Sequence, residues 1–257
     1  MRDSGALPRL HFLGHSTMLV ELDGVRVLTD PVLGSRVSGV LRRAGEPIEP
    51  HTHANVDLVV ISHLHADHLH LPSLRRLGHD IPIVVPDGAA AFLRRKGFRH
   101  VIELAPGRRH EHGPVQVTAT KADHDGFRQP FGPRASAVGY VLEAADHKVY
   151  FAGDTDLFPE MDDLGGRHLD VALVPVWGWG PNLGPGHLDP ARAAEATRRL
   201  RPKFAVPIHW GTLHPYGIGR WMRDQLVDPP HTYAKVAADL GLPTRILLTR
   251  PGAEVAE

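Results

Sequence analysis

Apolar residues recur along this chain at two spacings. Val115-Gln116-Val117-Thr118-Ala119-Thr120 alternates apolar with polar positions, and Leu10-His11-Phe12-Leu13 and Val25-Arg26-Val27-Leu28-Thr29 come close to doing so, which is the pattern of strands. The runs Val56 to Ile61, Lys148-Val149-Tyr150-Phe151-Ala152 and Phe204-Ala205-Val206-Pro207-Ile208 are apolar nearly throughout and also read as strands. Amphipathic patterns preceded by turn or cap residues predict helices over Pro72 to Leu77, Gly88 to Lys96, Pro190 to Leu200, Ile218 to Leu226 and Tyr233 to Leu240. Pro/Gly-rich loops at Arg42 to Pro50, Gly126 to Arg134 and Val176 to Pro190 interrupt the pattern without dividing it. The expectation is an α/β protein of one domain, residues 1–257, with helices covering the outer faces of its sheets.

The polar residues that follow these strands carry the chemistry. Directly after the Val56 to Ile61 run and Ser62 comes His63-Leu64-His65-Ala66-Asp67-His68, three imidazoles and a carboxylate in six residues. His63 and His65 are two apart, so on extended backbone they point to one side and can share an ion. Asp67 and His68 are adjacent and would diverge unless a turn at Ala66 bends them towards a second ion. The motif therefore predicts a pair of metals.

A metal pair needs further nitrogen and oxygen ligands, and three more strand-like runs end in them. Val115 to Thr120 leads to His124, Lys148 to Ala152 leads through Gly153 to Asp154, and Phe204 to Ile208 ends at His209. Gly153 lets the backbone turn sharply and present the carboxylate. Around His124 the residues leave alternatives open, because Asp123, Asp125, His110 and His112 are close by. His51, His53, His70, His79, His100, His147, His168 and His231 read as surface residues.

With these motifs in this order, the chain resembles the metallo-β-lactamase superfamily nearly end to end. The segments Phe12-Leu13-Gly14-His15-Ser16-Thr17, Leu28-Thr29-Asp30-Pro31, Ile61-Ser62-His63, Phe151-Ala152-Gly153-Asp154-Thr155 and Ile208-His209-Trp210-Gly211-Thr212 bring it nearest to one branch. That branch contains N-acyl-phosphatidylethanolamine-hydrolysing phospholipase D and L-ascorbate-6-phosphate lactonase. The resemblance implies a four-layer αββα sandwich, two mixed β-sheets face to face with helices outside. It also implies that His63, His65 and His124 hold one metal, that Asp67, His68 and His209 hold the other, and that Asp154 bridges them.

A bridging carboxylate separates the chemistries. The family's true β-lactamases lack it at this position and many place a cysteine on the second metal, whereas this chain has no cysteine, so antibiotic hydrolysis is not expected. The expectation is a hydrolase in which hydroxide held by the metal pair, beside Asp67, attacks a phosphodiester or related phosphoester. A lactonase or other carbonyl-centre hydrolase on the same ligands is the alternative, and a metal-binding protein without catalysis is a third reading. His187, in Gly186-His187-Leu188-Asp189-Pro190, is the candidate general acid, since imidazole titrates near working pH and the resembling phospholipase has a histidine there. It competes with a purely local role in which His187 fixes the loop and Asp189 caps the helix that Pro190 opens. Asp30 and His15 follow early strands and are expected behind the ligands, with Asp30 accepting a ligand imidazole's outer N–H.

Composition limits the remaining choices. Of 257 residues 42% are apolar, enough for one substantial core, and 29 basic residues balance 29 acidic ones, so charge gives no case for nucleic acid. Without cysteine the site is purely nitrogen and oxygen; zinc is favoured, with manganese or iron chemically acceptable. No apolar stretch approaches the roughly 18 residues of a membrane span, and Met1-Arg2-Asp3-Ser4-Gly5 lacks the apolar segment of an export signal, so a cytoplasmic protein is expected. Its partner would be a small-molecule substrate, and the oligomeric state is open. Trp177 and Trp179, in the Val176 to Pro190 loop, read as a mouth or lid; Trp210 and Trp221 read as pocket wall or core. Lys121, Arg128, Arg134 and Arg220 are the candidate cations for a phosphate-bearing substrate.

Overall fold

The computed structural model describes residues 7–128 and 132–257. The opening Met1-Arg2-Asp3-Ser4-Gly5, and 129–131 of the loop expected from Gly126 to Arg134, lie outside the described residues.

Alternating runs and short, continuously apolar runs build two sheets. The first joins β1 (Arg9–Gly14), β2 (Thr17–Leu22), β3 (Val25–Thr29), β6 (Leu58–Val60), β7 (Ile83–Pro86), β8 (Val101–Leu104) and β17 (Ala253–Glu254), in the order β17-β1-β2-β3-β6-β7-β8. The second joins β9 (Arg109–His112), β10 (Val115–Lys121), β11 (Val138–Glu143), β12 (Lys148–Phe151), β13 (Val171–Pro175), β14 (Phe204–Ile208) and β16 (Arg245–Ile246), in the order β16-β14-β13-β12-β11-β10-β9. Both are mixed: β1-β2-β3 and β9 to β12 pair antiparallel, while β3-β6-β7-β8 and β12-β13-β14-β16 pair parallel. A small sheet of β4 (Arg36–Val37), β5 (Leu41–Arg43) and β15 (Leu213–Pro215) stands beside them.

Alternation decides which face each residue enters. Val27, Leu58 and Val60 point between the sheets and pack with Val117, Tyr140 and Leu142 of the second. Their neighbours Leu28, Val59 and Ile61 point outwards, into a separate cluster with Leu74 of α1 (Leu71–Leu77) and Leu93 of α2 (Ala90–Arg95). Over the second sheet lie α3 (Met161–Gly165), α4 (Pro190–Leu200) and α5 (Arg223–Asp239), which bury Met161, Ala193 and Tyr233. The layers are therefore helix, sheet, sheet, helix, as expected. Asp189 caps α4 by accepting from the Arg192 N–H at 2.8 Å, with Pro190 at the first position.

Two helices differ from expectation. The segments predicted as Ile218 to Leu226 and Tyr233 to Leu240 form a short 3₁₀ turn, Gly219–Trp221, followed by the single helix α5. Pro229 and Pro230 lie inside α5 and withhold two backbone donors, yet both are buried with Tyr233 and Ala237, and this packing carries the helix through. The turn α3 was not expected, because five residues are too few to show a helical period. Among the described residues no helix is long and apolar enough to cross a membrane.

Candidate metal centre

Every predicted ligand sits where a strand ends, and all converge at one end of the two sheets. β6 runs through Ile61 and Ser62 into the His63 to His68 turn; β10 leads to His124; β12 leads through Gly153 to Asp154; β14 delivers His209. Gly153 has φ +62°, and a Cβ there would meet the Ser62 Cβ at 2.5 Å, so only glycine brings the Asp154 loop this close to the motif. His15, Asp30 and His209 hold left-handed backbone with φ 56°, 33° and 63°, a concentration of strained non-glycine residues around one point. His209 N–H donates to the His15 carbonyl at 2.7 Å, tying the first sheet to the second.

Two adjoining clusters result. His65 Nδ1 lies 3.0 Å from His63 Nε2 and 3.2 Å from His124 Nε2. His68 Nε2 lies 3.2 Å from His209 Nε2 and 3.6 Å from Asp67 Oδ2. Asp154 stands between them, with Oδ2 at 3.1 Å from His68 Nε2 and 3.9 Å from His63 Nε2, and Oδ1 at 3.2 Å from His209 Nε2. Tetrahedral bonds of 2.0–2.1 Å place ligand atoms about 3.3 Å apart, so these separations are those of ligands around a cation.

The outer hydrogen bonds test that fit. Ser62 Oγ donates to Asp30 Oδ2 at 2.5 Å and so accepts from His63 Nδ1 at 3.0 Å. His68 Nδ1 donates to Asp30 Oδ2 at 2.6 Å, His124 Nδ1 to the Gly186 carbonyl at 2.8 Å, and His209 Nδ1 to the Trp177 carbonyl at 2.8 Å. In the neutral form that binds metal, each of these four imidazoles thus spends its proton outwards and turns an Nε2 lone pair inwards, while His65 turns Nδ1 inwards. Facing lone pairs at this range repel, and Asp154 Oδ1 is buried without a donor; a divalent cation satisfies all of them.

The electrostatics agree. Burial, reinforced by neighbouring imidazoles, holds His63 well below the ordinary imidazole pKa, and burial takes His124 down to about 4, so both keep the neutral form that binds metal. Burial alone would raise Asp67 and Asp154, but the surrounding imidazoles outweigh it and hold both carboxyls well below the usual range. Burial likewise opposes charge on His68, yet Asp154, Asp67 and Asp30 outweigh it and raise its pKa well above 6.5. The local field favours positive charge at the heart of the cluster.

Asp30 and His15 lie behind the ligands as expected. Asp30 also accepts from Ser62 N–H at 2.7 Å, and His15 Nε2 is 3.0 Å from Asp67 Oδ2, with burial taking His15 to about 3. Arg128, one of the candidate phosphate cations, instead donates through Nη1 to the carbonyls of Leu64 and Leu69 at 2.8 and 3.0 Å, bracing the motif turn from outside. Lys121 pairs with Glu160, Arg134 with Asp125, and Arg220 lies over the Trp221 ring, so none of the four reaches the centre. His70, read as a surface residue, is buried: its Nδ1 bonds Ser73 Oγ at 2.7 Å, and burial lowers it to about 4. It occupies the N-cap position of α1 without a side-chain cap bond, and its ring instead packs inwards against Ser73, a placement that looks like any polar turn in one dimension. His110 and His112 lie on β9, at the edge of the second sheet and outside the clusters. Trp210 packs in the core, while Trp221 is 65% exposed.

A cavity of about 570 Å³ opens over the centre, floored by His65, Asp67, Asp154 and His209. The Val176 to Pro190 loop forms one wall through Trp179 and Leu183, and β4 and β5 form the other through Val37 and Leu41. His187 also lines it, with Nε2 3.5 Å from Asp154 Oδ2. Burial opposes charge on His187, but Asp154 outweighs it and raises its pKa, favouring the protonated ring. Two other hollows, one beside Arg9 and Glu21 and one beside Arg43 and Arg250, contain none of these ligands.

Residues 25–210 match the family described as beta-lactamase superfamily domain. A UPF0173 metal-dependent hydrolase of Methanopyrus kandleri is 30% identical over 95% of this chain and 97% of its own length. An uncharacterized protein of Mycobacterium tuberculosis is 32% identical over 80% of this chain, which spans only 60% of that relative. Among solved structures, Igni18, a metallo hydrolase from the archaeon Ignicoccus hospitalis, superposes with a TM-score of 0.75 at 26% identity, covering 97% of this chain and 98% of that one.

Proposed function

We propose, from the premise that this chain belongs to the beta-lactamase superfamily and to its UPF0173 metal-dependent hydrolases, that it hydrolyses a small substrate at a dinuclear metal centre. The observation that carries this reading is the set of inward lone pairs spaced 3.0–3.2 Å apart around the unpartnered Asp154 oxygen. His63, His65 and His124 would hold one ion, Asp67, His68 and His209 the other, with Asp154 between them. Zinc suits this nitrogen and oxygen set, as would manganese or iron. Bound divalent ions supply Lewis acidity and lower the pKa of water towards neutrality.

The chain's own residues do the rest. Asp30, Gly186 and Trp177 fix the imidazole tautomers, Asp67 holds its charge beside His15, and His187 faces the cavity with a proton for the leaving group. The ligands come from both sheets, so we read residues 1–257 as one hydrolase domain. A phosphodiester or related phosphoester is the leading substrate, in keeping with the phospholipase branch that the motifs resemble. A lactone or other carbonyl centre is the second reading, favoured by the apolar walls of the cavity.

Metal stoichiometry, followed by turnover of bis-p-nitrophenyl phosphate beside a lactone panel, tests this. Phosphodiester cleavage that disappears in Asp154→Ala supports the first reading, and lactone turnover alone the second. Bound metal with no turnover of either would make this a metal-binding protein.

A further inference from the structure

The cage of ligands is rich in charge, but the cavity above it is not. Val37, Val40 and Leu41 face Trp179, Pro181 and Leu183 across it, and among the described residues above the ligands its amide and hydroxyl side chains are those of Ser38 and Asn182. None of the described residues lining it is lysine or arginine. Two arginines of β5 are engaged elsewhere: Arg42 lies over the Tyr216 ring, and Arg43 donates to the carbonyls of Leu13 and Val32. Arg128 and Arg134 are held by the motif carbonyls and by Asp125.

We infer that the substrate presents to this cavity a compact, apolar and uncharged group, and that its sole anionic group, if any, is the one at the reacting centre. The inference rests on the hydrolase reading above and names the substrate class it takes. Metals can neutralise an anion that they contact. A second carboxylate or phosphate on the flanking group would leave water for Val40, Leu41, Leu183 and Trp179 and find no lysine or arginine to replace the solvent it lost, while the His187 ring already faces Asp154. An apolar group gains from the same surfaces, and a volume of about 570 Å³ lies within the ordinary small-molecule range of about 300–1,000 Å³. Nucleotides with further phosphates and sugars with a detached phosphate therefore fit poorly. The exposed flanks of Val40 and Trp179, 61% and 38% accessible, would be covered by the bound group.

Matched probes test this in either chemistry on the metal-loaded protein. Hexyl p-nitrophenyl phosphate is compared with its 5-carboxypentyl counterpart, and p-nitrophenyl hexanoate with the mono-p-nitrophenyl ester of adipic acid. Each pair differs by one remote carboxylate. The uncharged member should win by about tenfold or more in kcat/KM, mainly through KM. Val40→Lys should shrink that ratio several-fold while metal content stays unchanged, and Trp179→Ala should weaken the uncharged member about tenfold. Equal or better turnover of the carboxylated member by the wild-type protein, or a ratio unmoved by Val40→Lys, overturns the inference. Calorimetry with the non-hydrolysable pair N-phenylhexanamide and its 6-carboxy analogue separates the two levels. Preferential binding of the uncharged amide without turnover of any ester sinks the hydrolase reading and leaves the inference standing, whereas turnover without binding preference does the reverse.

Discussion

The inner and outer halves of the metal cage are built differently. Asp67, His68 and His209 are buried along with His15 behind them, and His68 and Asp67 are seated by side chains, Asp30 and His15, at the ends of the first sheet's early strands. His63 is buried against Ser62, but His65 and His124 are only partly buried, and His124 is seated by a backbone carbonyl, Gly186, in the loop that also carries His187 and the cavity wall. That loop reaches the inner half only through the Trp177 carbonyl behind His209. A carboxylate fixed by sheet packing gives a stiff, charged support; a loop carbonyl moves with its loop. If metals are held as proposed, the difference makes their retention depend chiefly on the inner half, while the outer half would couple them to whatever enters the cavity.

The widest separation of the two halves should come from His187→Ala. Turnover is expected to fall by about a hundredfold or more with metal stoichiometry unchanged if, as proposed, His187 serves as general acid and not as a ligand. Unchanged turnover would assign His187 to loop structure alone. Asp30→Asn attacks the inner half: it removes the acceptor charge behind His68 and the partner of Ser62, and metal affinity under chelator competition should drop about 10–100-fold. Affinity equal to wild type would show that the inner half is not held as described.

Acid should weaken the inner half before the core. His15 and His70 are held neutral by burial, at about 3 and about 4, against 6.5 when exposed. The unfolded chain therefore takes up protons first, so their contribution is complete above about pH 6.5 and is lost progressively as pH falls towards 4. Denaturation across this window should show stability declining by roughly 2 kcal/mol or more, and less steeply in His70→Asn at equal metal loading. Identical slopes would place the proton uptake elsewhere. The smallest effect is expected from Arg128→Met, which deletes two hydrogen bonds to the motif turn: about 1–3 kcal/mol of stability and a few-fold loss of metal affinity. A loss of turnover with neither change would mean that Arg128 meets substrate.

Much of the centre was legible in one dimension, for reasons that differ by residue. His63, His65, Asp67 and His68 lie within a single turn, so their spacing alone implies convergence. His124, Asp154 and His209 are each readable as polar residues ending an apolar strand, and Asp30 as a carboxylate doing the same. Arg128 was not: a guanidinium that braces a turn sixty residues away looks like any surface cation until the loops are folded. Burial of His70 was hidden likewise, because its contact with Ser73 is shielded from water only where α1 packs. The single helix α5 escaped because Pro229-Pro230 breaks a helix by local rules and is overridden only by packing.

The sequence by itself determined the strands, their ends and the types of atom offered to metal, since alternation, turn residues and ligand chemistry are local properties, and its resemblance to a family implied the layers. Only the tertiary structure decided which lone pairs face one another at about 3 Å, which carboxylate seats which imidazole, and that no lysine or arginine lines the cavity among the described residues. Those outcomes depend on distances between residues far apart in the chain, and such distances are set by how the two sheets pack, which no stretch of the chain specifies alone.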